Sequence, residues 1–79
     1  MVKVQDENES IARLESALYS AGRPMSIEEL IRASGTESRT KTLNLLSKIV
    51  QKTKVAFKAI EVVTLPDGSY VFQLKPEYS

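Results

Sequence analysis

Apolar residues recur at helical spacing through the first third of the chain. Ile11, Leu14, Leu18 and Ala21 fall at i, i+3, i+7 and i+10, on one face of a helix. Asp6 and Glu9 stand at the spacing of a capping box, with Ser10 as an alternative start. Gly22 predicts the stop, because glycine accepts the left-handed conformation that closes helices. Arg23-Pro24 then imposes an extended step. Ser26 opens a second helix with Glu29 as its box partner, Ile27, Leu30 and Ile31 face inward, and Gly35 ends it. Thr36 or Ser38 caps a third helix. Its expected buried stripe is Leu43, Leu46, Ile49 and Val50, with Leu45 at the border. Lys41, Asn44, Ser47, Lys48, Gln51 and Lys52 form its polar face.

After about Lys54 the period changes from helical to alternating. Ile60, Val62 and Thr64 point one way, and Glu61, Val63 and Leu65 the other. Pro66-Asp67-Gly68 is turn chemistry, and a second strand follows with Tyr70, Phe72 and Leu74 on one face. Pro76 ends it. Such a hairpin is marginal alone and must pack on the helices, so Tyr70, Phe72 and Leu74 are expected in the core against the third helix. The extended piece Arg23–Met25 can add a short third strand to the hairpin edge. Two helices joined by a tight turn, then a hairpin, predict a winged helix-turn-helix: an α+β fold, mainly α, of three helices and a C-terminal β-hairpin wing. Residues 1–8 are expected to be a flexible N-terminus, and 9–79 a single winged-helix domain.

Composition narrows the function. The 79 residues include no cysteine, histidine or tryptophan. The thiolate and imidazole ligands of transition metals are therefore missing, as is the commonest general base. Glu28-Glu29 is an adjacent carboxylate pair, and neighbours on a helix diverge; it suits a helix N-terminus. The three glycines are scattered at turns and form no phosphate-binding loop. The pattern calls for no catalytic residue, metal, cofactor or small-molecule substrate, and so for no enzyme. No apolar run approaches the roughly 20 residues of a membrane span, and the N-terminus lacks the apolar core of a signal peptide. A cytoplasmic protein is expected.

Charge adds two candidate surfaces. The net charge of +1 conceals a block between residues 38 and 60 with six cations and no acid: Arg39, Lys41, Lys48, Lys52, Lys54 and Lys58. In a helix-turn-helix the second helix of the pair can enter the major groove of DNA. Arg39, Lys41, Asn44, Lys48, Lys52 and Lys58 are the candidate contacts to double-stranded DNA; a solvated polar face is the other reading of the same residues. The second surface is apolar. With Tyr70, Phe72 and Leu74 inward, Val63, Leu65 and Val71 are left on the opposite face. Val55 and Phe57 could extend the hairpin, and Tyr19 sits off the first helix's stripe. Tyr19, Val55, Phe57, Val63, Leu65 and Val71 form a candidate surface for a protein partner or for self-association.

The stretch ALYSAGRPMSIEELIRASGT, residues 17–36, resembles the opening of the segregation and condensation protein B (ScpB) family, with Gly22, Pro24, Met25, Ser26, Ile27, Glu28, Glu29 and Leu30 matching in order. The end, AIEVVTLPDGSYVFQLKPEYS, is similar to the family's strand, glycine turn and strand closing on Pro76, Glu77 and Tyr78. The resemblance implies a non-enzymatic winged-helix subunit of the SMC–kleisin complex that organises and segregates prokaryotic chromosomes. It implies a homodimer and partners in the kleisin ScpA and SMC, with a chromosome-associated location in the cytoplasm. Family members carry two winged helices in about twice this length, so the chain is expected to be either an N-terminal fragment or a one-domain relative. Its third helix is basic where the family's tends to be acid-rich. That keeps a DNA-binding regulator or DNA-contacting subunit as the alternative.

Overall fold

The computed structural model describes residues 7–78. Three helices, α1 (Glu7–Ala21), α2 (Ile27–Ser34) and α3 (Arg39–Ala56), precede an antiparallel hairpin of β1 (Ile60–Thr64) and β2 (Tyr70–Leu74). A single 3-10 turn, Pro76–Tyr78, follows. This is the winged-helix arrangement, mainly helical with a small sheet. Asp6, the expected first cap, lies outside the described residues together with residues 1–5. Glu7 and Asn8 already belong to α1, and Ser10, the alternative start, is fully buried within it.

The helix boundaries follow local chemistry. Ser26 Oγ accepts from the Glu29 N–H at 3.2 Å, and the Glu29 carboxylate accepts from the Ser26 N–H at 3.0 Å. These two bonds satisfy orphan donors at the start of α2. Gly35 ends α2 at φ 81°, a conformation a side chain opposes. Ser38 caps α3 through the Lys41 N–H at 3.1 Å. The turn between them is pinned by buried hydroxyls. Ser34 Oγ lies 3.2 Å from Thr42 Oγ1, which donates to the Ser38 carbonyl at 2.7 Å.

The core sits where the three helices meet the hairpin. Leu14 and Leu18 of α1, Leu30 of α2, and Leu46 and Ile49 of α3 are wholly excluded from solvent. Met25, Ile27, Leu45, Val62 and Tyr70 complete it. Each such side chain contributes about 1.5–3 kcal/mol by leaving water.

Pairing in the hairpin runs from Ile60 opposite Leu74 to Thr64 opposite Tyr70. Met25 joins the edge of β2 as expected: its N–H donates to the Tyr70 carbonyl at 2.8 Å, and the Tyr70 N–H returns a bond of 2.9 Å. β1 is tied to α3, with the Val62 N–H donating to Thr53 Oγ1 at 2.9 Å. At the far end Lys75 Nζ donates to the carbonyls of Lys54, at 3.0 Å, and Phe57. A cation there complements the carbonyl end of α3.

Three expectations need correction. The buried face of α3 is Thr42, Leu45, Leu46, Ile49 and Thr53, whereas Leu43 is 39% exposed. The three leucines at 43, 45 and 46 cannot share one face, and threonine hydroxyls with local partners take up core positions that apolarity alone would not assign. The helix also runs past Lys54 to Ala56. Val55 is therefore helical and Phe57 is the residue that caps the helix; neither extends the hairpin. Finally, Leu74 is 49% exposed. Tyr70 and Phe72 at the near end of β2 pack on the core, but the inward face of the strand continues beyond the helical cover.

Candidate functional site

That uncovered end of the hairpin forms a groove. Val62 and Phe72 are among the residues at its base; Ala12, Glu15, Ser16 and Tyr19 of α1 line one side, and Lys52, Thr53 and Phe57 the other. The groove has a volume of about 360 Å³. It continues into a second depression of about 240 Å³ bounded by Tyr19, Ile60, Phe72, Gln73 and Leu74. The two share Tyr19 and Phe72, whose ring centres lie 5.5 Å apart at an interplanar angle of 59°. The tilt brings a ring edge towards a ring face, a favourable aromatic arrangement. Tyr19 is 74% exposed and Phe57 40%. Among the lining charges, Glu15 and Lys52 pair with each other at 2.9 Å. The groove is suited to apolar side chains.

The six candidate residues for protein contact therefore separate. Tyr19 and Phe57 come together across the groove. Val63 and Val71 oppose each other across the strands, and with Leu65 they are half-buried. Their position in the strand alternation puts them on the face away from Val62 and Phe72. Val55 is exposed on α3 and lines neither depression. Ile60, Phe72 and Leu74 belong to the groove, although strand alternation assigned Phe72 and Leu74 to the interior. The signal that could have found them is geometric: a five-residue strand outruns the helix that covers it.

The candidate DNA contacts lie on or beside α3, and all six are exposed. Arg39 pairs with Glu28 at 3.4 Å, Lys48 with Glu7, and Lys52 with Glu15. Among the described residues Lys41, Lys54 and Lys58 have no carboxylate partner. The acids of the N-terminal half thus lie against the basic block, an arrangement invisible in the linear charge pattern. A third depression, of about 390 Å³, separates the start of α3 from the hairpin turn and is bordered by Glu28, Arg39, Leu43 and Asp67.

Two carboxylates with depressed pKa values serve the scaffold. The Arg23 guanidinium, 3.0 Å away, and the Ser26 N–H hold Glu29 down to about 2. Asp67 is lowered by the Ser69 hydroxyl at 2.6 Å and its N–H at 3.0 Å, bonds that close the hairpin turn. Among the described residues no three potential metal ligands cluster, and no helix is long and apolar enough to cross a membrane.

Residues 12–79 match the model of a protein family described as segregation and condensation complex subunit ScpB. A comparison with curated proteins gave no match.

Proposed function

The chain belongs to the ScpB family of segregation and condensation complex subunits, and on that premise we propose that its winged helix is a dimerisation and protein-interaction module. The family acts in the SMC–ScpA–ScpB chromosome segregation complex as a structural subunit. In this reading the chain works at the chromosome by assembly, not by turnover of a substrate.

The observation that carries the proposal is the apolar groove built on Tyr19, Phe57, Phe72 and Leu74. Exposed apolar side chains are common singly, but a contiguous aromatic and aliphatic depression marks a contact surface. Aromatic residues at the centre with a charged pair at the rim match the anatomy of protein interfaces. The occupant in the homodimer is the same face of a second copy, because a two-fold interface uses one self-complementary patch twice. The kleisin and SMC subunits then assemble on that dimer.

Backbone and methyl resonances followed on dilution test this directly. Signals of Tyr19, Phe57, Phe72 and Leu74 are expected to shift between high micromolar and low micromolar concentration, while Thr40 and Ser47 on α3 stay still. Shifts confined to α3, or none anywhere, would contradict the proposal.

A further inference from the structure

The solvent-facing line of α3 has a chemistry that the groove does not use. Thr40, Asn44, Ser47, Gln51 and Val55 follow one another at i, i+4, i+7, i+11 and i+15, a single line along the helix. All five are exposed. Helical geometry places Lys41, Lys48 and Lys52 along one flank of this line and Arg39 and Lys54 along the other. The helix contains no acid over its 18 residues. We propose that α3 is a reader of double-stranded DNA, its uncharged crest facing base edges and its two basic flanks facing the phosphate rows.

The fit is dimensional as well as chemical. A major groove about 12 Å wide admits a helix about 10–12 Å across, with a phosphate backbone on either side. Amide side chains such as Asn44 and Gln51 can pair with adenine edges, hydroxyls such as Thr40 and Ser47 with several bases, and Val55 offers an apolar contact to a thymine methyl. α3 is also the second helix of the helix-turn-helix, the position from which such folds enter the groove. An acidic protein could also pair with the flanks and the crest, but an uncharged line between two basic rows matches the base edges and paired phosphate rows of a duplex groove.

The carboxylates on the flanks set the conditions. Glu7 on Lys48, Glu15 on Lys52 and Glu28 on Arg39 are exposed pairs, which contribute little and exchange readily. A phosphate row displaces them, so the carboxylates of α1 and α2 act as a built-in screen that weakens DNA contact without blocking it. Glu28 and Asp67 also border Arg39 at the hairpin turn and oppose phosphate there. The Lys41–Lys48–Lys52 flank, with three cations against the two of the other, carries most of the affinity.

Fluorescence anisotropy with a labelled duplex of about 20 base pairs at about 50 mM salt tests the proposal. Lys52 borders the groove, so the variant that removes the flank is Lys41→Glu with Lys48→Glu. It is expected to lower affinity at least about 10-fold and to flatten the dependence on salt. Glu7→Gln frees Lys48 and is expected to raise affinity about 2- to 5-fold, a gain that misfolding cannot produce. Asn44→Ala with Gln51→Ala is expected to weaken binding while leaving the salt slope unchanged, because amides release no counterions. No binding by the wild-type chain, or wild-type affinity in the Lys41→Glu, Lys48→Glu variant, would overturn the proposal. So would displacement of the duplex by an equal concentration of polyglutamate, which would assign the surface to an acidic protein.

Discussion

The ring of Tyr19 leans over Phe72 at a centre-to-centre distance of 5.5 Å, joining α1 to the inward face of β2 while leaving Tyr19 74% exposed. An aromatic pair of this kind contributes about 0.5–1.5 kcal/mol beyond its buried area. Most of the tyrosine surface is uncovered, so the pair contributes modestly to the isolated fold. Tyr19→Ala is expected to lower stability to urea by under about 1 kcal/mol and to weaken self-association by at least about 10-fold, the loss of one central aromatic anchor. Equal losses in both would mean that Tyr19 serves the fold alone.

Thr53 tests how the hairpin is held. Its buried hydroxyl accepts from the Val62 N–H at 2.9 Å and lies 3.2 Å from the Val50 carbonyl, to which it donates. Thr53→Val keeps the shape but leaves the Val62 donor without that acceptor, at a cost of about 1–3 kcal/mol. Thr53→Ser should recover most of the loss. Urea unfolding of the three proteins decides it; Val as stable as Thr would show that the hydroxyl does not anchor β1.

Acid should weaken the start of α2. Glu29 sits at about 2 against an ordinary 4.5, held down first by Arg23 and then by the Ser26 N–H. A depressed folded value means that the stabilisation is complete above pH 4.5 and is lost as pH falls towards 2. Thermal midpoints measured between pH 6 and pH 2 should fall more steeply in the wild type than in Glu29→Gln. Parallel curves would indicate that the Arg23–Glu29 pair does not couple to folding.

Lys75 closes the other end of the molecule. Its ammonium bonds the Lys54 and Phe57 carbonyls, at the C-terminus of α3. Lys75→Met is expected to cost about 0.3–1 kcal/mol and to raise amide exchange at the start of β1 and the end of β2. Unchanged exchange there would show that the contact is incidental.

These features differ in how far they could be read from the chain. The Ser26–Glu29 box, Gly35 and the Pro66-Asp67-Gly68 turn were legible because each acts over a few residues. The Met25 bridge was legible because an extended step beside a hairpin has few places to go. The face of α3 was not: Leu43, Leu45 and Leu46 offer competing phases, and the choice is made by Thr42 and Thr53, whose hydroxyls find partners only in the folded molecule. The groove was half legible. Tyr19 stood out because it sits off the stripe of α1, and Phe57 was named for the same surface as an extension of the hairpin, but alternation put Leu74 inside. How far a helix covers a strand depends on the lengths of elements distant in sequence. The pairing of Glu7, Glu15 and Glu28 with the basic block has the same origin, since it brings together acids and cations from different helices.

The central claim is that the groove of Tyr19, Phe57, Phe72 and Leu74 joins two copies of this chain. Light scattering at high micromolar concentration measures it most directly, with Leu74→Asp as the variant because Leu74 is half exposed and its loss spares the core. The account predicts a wild-type mass twice the 8.8 kDa of one chain, and 8.8 kDa for the variant. A wild-type mass of 8.8 kDa, or a variant that remains dimeric, would contradict it.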